Sequence, residues 1–139
     1  MSINEQEKIK NKYYSEARRY IDNAKKCLEN TTIENERYKD KKYVRMACGT
    51  AYSGLLVGLD GFLVLKGIDK PKGKLRKSIE FYQENLGKLD KKMLGCLIDA
   101  YQILHLYGYY DGLVNVKVIK EGFKLANIII EKIKPAELN

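Results

Sequence analysis

The feature that most constrains this fold is a ladder of small residues within one apolar segment. The small residues recur at alternating spacings of four and three, which places them on one side of a helix: Ala47, Ala51, Gly54, Gly58 and Gly61. Glycine inside a helix costs up to about 1 kcal/mol relative to alanine, so three glycines require compensation from close packing. The other sides of the segment are apolar as well, which predicts a buried helix. The ladder therefore predicts a second helix at close approach, or a ligand or partner subunit in that position.

Helical spacing of apolar residues extends along almost the whole chain, and strand-like alternation is nearly absent. We predict five helices, over Gln6–Glu29, Asp40–Lys66, Gly73–Asn85, Asp90–Tyr107 and Leu113–Lys134. We expect Gly67 to cap the second helix, Pro71 to open the third, and Gly108–Gly112 to form a turn. Short connections join antiparallel neighbours, which predicts an all-α, up-down bundle of four to five helices. The 139 residues fit one domain, with its core at about residues 6–134.

Several classes of protein lack their sequence signatures here. The N-terminal residues show no apolar stretch of a secretory signal, and no cysteine or histidine spacing fits a metal site. The three cysteines are expected to be free thiols in a reducing compartment: Cys27, Cys48 and Cys96. The apolar stretch Cys48–Leu65 approaches the length of a membrane span, but its aspartate favours a buried helix. We therefore expect a cytoplasmic protein with no membrane contact, no metal and no cofactor.

Asp60 is the only charged residue in that apolar stretch. A carboxylate among apolar neighbours needs a cationic partner or strong hydrogen bonds, because burial without them is costly. We interpret Asp60 as one partner of an ion pair with a lysine or arginine. A functional carboxylate is the alternative.

Positive charge is in excess, with 26 lysines and arginines against 18 acidic residues and a net charge of +8. It gathers in two groups, one on each side of the second predicted helix. The first group is Arg37, Lys39, Lys41, Lys42 and Arg45, and the second is Lys66, Lys70, Lys72, Lys74, Arg76 and Lys77. About 25 helical residues at about 1.5 Å each separate them by roughly 35–40 Å, so they do not form one patch.

If every predicted helix crosses the bundle, the second group shares its end with the turn between the fourth and fifth helices. That turn carries Tyr107, Tyr109 and Tyr110, whose rings offer surfaces on which bases stack. Three helix N-termini point to the same end, and with the lysines they favour phosphate. We predict a nucleotide or nucleic-acid site formed by the second basic group and these tyrosines. The alternative is solvated lysines beside tyrosines that pack on the rim.

The order of these features resembles the HEPN domain (higher eukaryotes and prokaryotes nucleotide-binding), over about residues 13–134. The shared pattern is a long first helix, a second helix rich in small residues, a break at Gly67–Pro71, and a Tyr/Asp turn before a closing amphipathic helix. Small bacterial proteins with the same five-helix pattern are similar too. The resemblance implies a HEPN-like bundle that forms a homodimer and binds RNA or a nucleotide.

The resemblance bears on catalysis through His105, the one histidine of the chain. Active HEPN ribonucleases carry an arginine, then four to six residues, then a histidine, but the matching positions here are Ile98, Asp99 and Ala100. Because the arginine is absent, we assign no catalytic residue and keep His105 as a weak candidate. His105-Leu106-Tyr107 matches the end of an extended motif whose tyrosine is modified by a partner nucleotidyltransferase, which implies such a partner protein.

Three functional hypotheses follow. The first is a non-catalytic HEPN-like module that binds a nucleotide, RNA or a nucleic-acid-associated partner. The alternative is a structural or adaptor protein that acts through helix–helix contacts, using the ladder or an apolar rim. The third is a divergent ribonuclease that uses His105 and a replacement for the missing arginine, such as a lysine from elsewhere in the chain. Other enzymes are disfavoured, since the chain has no glycine-rich phosphate loop, paired metal ligands or serine nucleophile motif.

Overall fold

A computed structural model describes residues 1–68, 71 and 77–136, and five helices account for most of them. The helices are α1 (Ile3–Leu28), α2 (Lys41–Leu65), α3 (Ile79–Leu89), α4 (Lys91–Ala100) and α5 (Val116–Glu131). α4 continues directly into a π-helical segment over Tyr101–Tyr110. A two-stranded antiparallel hairpin, β1 (Ile33–Glu34) and β2 (Arg37–Tyr38), joins α1 to α2. The predicted all-α bundle is confirmed.

The ends of the helices follow from local side-chain chemistry. Each helix begins behind a side chain that accepts a hydrogen bond from a backbone N–H of its first turn: Ser2, Asp40, Ser78, Asp90 and Asn115. α2 ends where Gly67 adopts a φ of 72°, which confirms the predicted cap. There the Ile68 N–H donates to the Leu63 carbonyl at 2.9 Å.

The small-residue ladder packs inside the protein. A Cβ added to Gly61 would lie 2.6 Å from Cβ of Tyr13, and one on Gly54 would lie 2.7 Å from Cβ of Tyr20, both on α1. The Gly58 position faces α5, where a Cβ would lie 3.0 Å from Ile130. Close helix packing is therefore confirmed. The idea that a ligand or another protein occupies the ladder is wrong, because α1 and α5 already cover it.

α2 is long and apolar enough to cross a membrane by length and composition alone. In this structure half of the most apolar 18-residue stretch of the helix is buried, and the helix packs against α1, α5 and the π-helical segment. Its environment here is that of a central bundle helix.

The third predicted helix differs from the observed α3 at both ends. The predicted start at Gly73 lies outside the described residues, but Lys77 and Ser78, predicted to be helical, precede α3. Ser78 caps the helix instead of Pro71 opening it. α3 continues past the predicted end at Asn85 to Leu89.

The connection between α4 and α5 also differs from the prediction. Residues 108–110 of the predicted Gly108–Gly112 turn are helical, and α5 begins at Val116 instead of Leu113. Gly108 is in the helix because its backbone packs directly on the Cys48 side chain of α2, where no larger residue fits. The turn is therefore shorter and later in the chain than the sequence pattern indicates.

The length of α3 decides which groups share an end of the bundle. α3 has 11 residues, about 16 Å, whereas α2 has 25, about 37 Å, so α3 does not carry the chain back to the start of α2. α4 accordingly begins near the C-terminal end of α2: Asp90 Oδ2 lies 3.9 Å from Nζ of Lys132, which shares a cleft with Lys66. The π-helical segment then runs toward the start of α2, where Tyr109 meets Gly49.

This placement corrects the predicted site. Tyr107, Tyr109 and Tyr110 do not share an end with Lys66 and Lys77. Tyr109 and Tyr110 lie instead over the N-terminal half of α2, near the first basic group. The prediction was wrong because it assumed that every helix crosses the bundle.

The hairpin occupies the same end as these tyrosines. Its turn places Asn35 and Glu36 at φ angles of 51° and 62°, as a two-residue hairpin turn with mirror-image geometry requires. The Tyr38 N–H donates to the Val114 carbonyl at 2.8 Å, and the Val116 N–H donates to the Glu36 carbonyl at 3.1 Å. The hairpin thus fixes the start of α5 beside the start of α2.

Candidate functional site

The π-helical segment aligns ring side chains on one face. Its hydrogen bonds reach one residue further than those of an α-helix, so side chains four and five positions apart lie together. The His105 ring centroid is 5.2 Å from that of Tyr101, 6.0 Å from that of Tyr109 and 4.9 Å from that of Tyr110. Tyr101 and Tyr109 stack on the imidazole, and Tyr110 meets it edge-on at 81°.

α2 completes this group from the other side. The Tyr52 ring stacks on His105 with centroids 4.7 Å apart, and it lies 5.9 Å from Tyr101. Gly49 makes the approach close, because a Cβ there would lie 2.8 Å from the Tyr109 ring. We call these five rings the aromatic cluster: Tyr52, Tyr101, His105, Tyr109 and Tyr110.

An open cleft of about 510 Å³ lies over the cluster. Four rings of the cluster line it, together with Tyr20 of α1 and Met46 of α2. Tyr110 is 59% exposed, and Tyr109 and Met46 are about half exposed, so a ligand can reach their surfaces. The cleft is within the volume range of small-molecule sites, about 300–1,000 Å³.

The residues that line the cleft are neutral, and two cations lie at the turn that follows Tyr110. Among the described residues, those that line the cleft carry no formal charge at pH 7. Arg45 and Lys41 lie at the Gly112 turn, two residues beyond Tyr110: a Cβ on Gly112 would be 2.8 Å from Arg45 Nε and 3.2 Å from Lys41 Cδ. Both are exposed. The arrangement offers stacking surfaces with cations beside them.

His105 is a neutral member of this cluster. Burial lowers the pKa of its imidazole below the ordinary value of about 6.5, so the ring is uncharged at pH 7. Burial and, to a smaller extent, Tyr101 raise the pKa of the Tyr52 hydroxyl. The cleft brings no lysine or arginine to His105 among the described residues, although the third hypothesis requires one. The local chemistry favours stacking over acid–base catalysis.

The other predicted site residues that the structure describes lie outside the aromatic cluster. Lys66 is exposed at the end of α2, with its Nζ 5.5 Å from the centroid of the Phe62 ring. Lys70, Lys72, Lys74 and Arg76 lie outside the described residues. Tyr107 is 40% exposed, but it is not part of the aromatic cluster and does not line the cleft. Of the predicted site residues that the structure describes, Tyr109, Tyr110 and the weak candidate His105 come together in the cleft.

Asp60 is part of a separate polar group. Its Oδ1 accepts hydrogen bonds from Lys77 Nζ at 2.8 Å and from the Tyr82 hydroxyl at 2.7 Å. Burial, followed by the hydrogen bond to Asp60, raises the pKa of Tyr82. The ion-pair interpretation of Asp60 is confirmed, and this carboxylate holds α2 to the start of α3.

The sequence analysis missed most of the cleft, including Tyr20, Met46, Gly49 and Tyr52. A signal existed in the spacing of Tyr101, His105 and Tyr109, each four residues from the next. That spacing places the three rings on one face of any helix that continues past residue 107. The contribution of α2 had no such signal, because it depends on which helix packs beside which.

Comparison with known proteins gives a family and a structural relative. A family described as a domain of unknown function (DUF5618) matches residues 12–135. Among solved structures, the chain is similar to a protein of unknown function from Dyadobacter fermentans, with 41% sequence identity and a TM-score of 0.80. The similarity covers 88% of this chain and 94% of that chain. The comparison with curated proteins finds no match.

Proposed function

The chain belongs to the DUF5618 family, and from this premise we propose that it is a non-catalytic module that binds nucleotides or single-stranded RNA at the aromatic cluster. The family description names no activity, so the support comes from the site. One observation carries the proposal: the exposed rings of Tyr109 and Tyr110 pack around a neutral His105, and Arg45 and Lys41 lie at the turn that follows them.

The chemistry of the cleft fits bases better than other ligands. Stacking of a base on an aromatic side chain contributes about 1–3 kcal/mol and tolerates any base, because each has a flat face. A neutral, ring-lined cleft suits the base, and the cations at the turn after Tyr110 suit the phosphate. The N-termini of α2 and α5 lie at the same end and add a favourable field for an anion.

We also propose that the family is HEPN-like. In support, two long antiparallel helices begin the fold, the second is rich in small residues, and a Tyr/Asp turn precedes the last helix. His105-Leu106-Tyr107 matches part of the extended motif. The arginine that would hold the scissile phosphate is absent, so we propose binding without cleavage. Light scattering tests the homodimer that this kinship implies, and a strict monomer would argue against it.

A binding titration tests the main proposal. The anisotropy of a fluorescein-labelled single-stranded 12-nucleotide RNA is measured against protein at about 50 and 200 mM NaCl, where salt weakens phosphate contacts. We expect binding that weakens with salt. Loss of one stacking surface in Tyr110→Ala is expected to weaken it about 5- to 50-fold.

Tyr107→Ala is the matched control. Tyr107 lies on the same π-helical segment and is also exposed, but it does not line the cleft. We expect it to leave RNA affinity unchanged. An equal loss in both variants, or no binding by the wild type, would overturn the proposal.

A cleavage assay separates the ribonuclease hypothesis from binding. The same RNA is incubated with wild type and with His105→Ala and resolved on a denaturing gel. We expect intact RNA in both. Cleavage that disappears in the variant would replace the proposal with catalysis at His105, whereas cleavage that persists would assign the activity to other residues.

A further inference from the structure

A second and larger cleft, of about 720 Å³, lies between α1 and α5. It shares no lining residue with the cleft over the aromatic cluster. Its lining includes five apolar side chains, of which Ile128 is exposed, Leu28 is half-buried and the other three are buried: Leu28, Tyr38, Ile119, Phe123 and Ile128. Asn127 and Glu131 line it further along α5, and their side chains accept hydrogen bonds from Arg18 and Tyr14 of α1. We call this cleft the α1–α5 groove.

Lysines stand on both walls of the groove. Lys25 lines it from α1, and Lys120 and Lys124, one helical turn apart, line it from α5. All three are exposed, and within the described part of the chain no carboxylate oxygen lies within 4.0 Å of their Nζ atoms. Among the described lining residues the one acidic side chain is Glu131, which already accepts a hydrogen bond from the Tyr14 hydroxyl at 2.9 Å. The groove therefore combines an apolar surface with a positive rim.

The dimensions and charges of the groove identify its occupant. From Ile119 to Glu131 it follows α5 for about 18 Å, the length of roughly three turns of helix. Three lysines on two walls match several negative charges spread along a ligand, whereas a fatty acid offers one. A nucleic acid lacks the apolar stripe that the surface requires. Ile128, 41% exposed, adds an apolar contact that is open to a partner.

We propose that the α1–α5 groove binds an acidic amphipathic helix of a partner protein. The apolar stripe of that helix packs on Leu28 and Ile128, in the usual manner of a helix in a hydrophobic groove. Carboxylates on its flanks, four residues apart, face Lys120 and Lys124 on one side and Lys25 on the other. This site is independent of the RNA site proposed above.

Fluorescein-labelled peptides test the proposal on the full chain. The probe is a 14-residue peptide with a leucine stripe at helical spacing and glutamates on both flanks. Its control replaces every glutamate with lysine and keeps the stripe. We expect saturable binding of the acidic peptide and at least about 10-fold weaker binding of the basic one, because like charges then face each other. Equal affinities, or no binding of the acidic peptide, would overturn the proposal.

Charge-reversal variants locate the binding. Lys25→Glu/Lys124→Glu changes two groove lysines, and Lys26→Glu/Lys117→Glu changes two exposed neighbours that do not line the groove. Both change the net charge equally, so only position differs. We expect about a 10-fold or greater loss of acidic-peptide binding in the first and less than about a threefold loss in the second. Equal losses would show that general charge, and not the groove, attracts the peptide.

A reporter inside the groove gives an independent readout. The chain has no tryptophan, so Ile128→Trp introduces a single one on the groove surface. We expect its emission to shift to the blue when the acidic peptide binds and to stay unchanged with the 12-nucleotide RNA. A shift caused by palmitate that also displaces the peptide would reassign the groove to lipid. Unchanged RNA binding in the groove variants would keep the two sites distinct.

Discussion

Both halves of α2 contain glycines at close contacts, but the contacts form a buried interface in one half and border an open cleft in the other. In the C-terminal half, Gly54 and Gly61 lie against α1, and Asp60 is held by Lys77 and Tyr82. In the N-terminal half, Gly49 lies under the half-exposed Tyr109 ring, and Tyr52 stacks on His105 beside an open cleft. Glycine permits a close approach in both halves. What differs is the neighbour: a buried helix in one half and an accessible ring in the other.

Gly61→Val gives the largest expected effect and tests whether the C-terminal half of α2 packs tightly against α1. A Cβ there would lie 2.6 Å from Cβ of Tyr13, an atom that moves only if α1 moves. We expect the free energy of unfolding to fall by about 3 kcal/mol, measured by urea denaturation. The loss exceeds any gain in helix propensity, which is at most about 1 kcal/mol.

Gly95→Ala is the matched control for that substitution. Gly95 lies inside α4, and nothing stands within 4 Å of the position of its missing Cβ. We expect alanine to raise the free energy of unfolding by about 0.5–1 kcal/mol, since only backbone entropy changes. If Gly61→Val were equally harmless, the close approach of α1 to α2 would not contribute to stability.

Tyrosine-to-phenylalanine changes give the next effect and compare the halves directly. Tyr82→Phe removes a hydroxyl that donates to Asp60 at 2.7 Å, and we expect it to lower stability at pH 7 by about 1.5 kcal/mol. Tyr52→Phe removes a hydroxyl with no hydrogen-bond partner among the described residues, so we expect a change within about 0.5 kcal/mol. Equal losses would show that the Tyr52 hydroxyl is also engaged.

The same pair of variants has a pH signature. Burial raises the folded-state pKa of both tyrosines above the unfolded value of about 10, so the unfolded chain loses these protons first as the pH rises. The two protonated hydroxyls therefore contribute to the free energy of unfolding below about pH 10, and this contribution is lost as the pH rises above it. We expect both variants to lose stability less steeply than wild type between about pH 9 and 11 in urea titrations.

Much of the packing around the C-terminal half of α2 could be predicted from the sequence, because its signals are local. The spacing from Ala47 to Gly61 predicts tight packing, and Asp60 among apolar residues predicts an ion pair; both are confirmed. The cleft beside the N-terminal half of α2 could not be predicted, because it depends on the direction in which α4 runs. That direction follows from the shortness of α3, whose start at Ile79 is set by the Ser78 cap.

The π-helical segment is the second element that the sequence did not reveal. Gly108 reads as a turn residue, but the contact with Cys48 needs a residue without a side chain inside the helix. Apolar periodicity alone does not distinguish a helix end from a change of helix type, since both interrupt the same spacing. The aromatic cluster exists because the helix continues through Tyr110.

The pH response of His105 gives a smaller effect and tests whether the open half excludes water. Burial lowers the folded-state pKa of this imidazole, so the unfolded chain takes up the proton first as the pH falls. The contribution of neutral His105 to the free energy of unfolding is therefore complete above about pH 6.5 and declines as the pH falls below that value. We expect His105→Gln to reduce this decline between about pH 7 and 5.5.

Proton NMR measures the same quantity without a variant. His105 is the only histidine, so one imidazole resonance reports its titration without assignment. We expect a midpoint below 6.5, the value for a solvated histidine. A midpoint at or above that value would mean that water or an anion solvates the ring, and the cluster would then not be the neutral surface that base stacking needs.

Gly49→Ala gives the smallest expected effect on stability and is the sharpest comparison with Gly61→Val. A Cβ there would lie 2.8 Å from a ring carbon of Tyr109, nearly as close as the contact at Gly61, but this ring is 46% exposed and can swing outward. We expect the free energy of unfolding to change by no more than about 0.5 kcal/mol, because helix propensity offsets the displacement. RNA affinity is expected to fall about threefold as Tyr109 leaves its stacked position. A stability loss like that of Gly61→Val, with RNA affinity unchanged, would mean that Tyr109 is a fixed part of the core and that both halves of α2 are tightly packed.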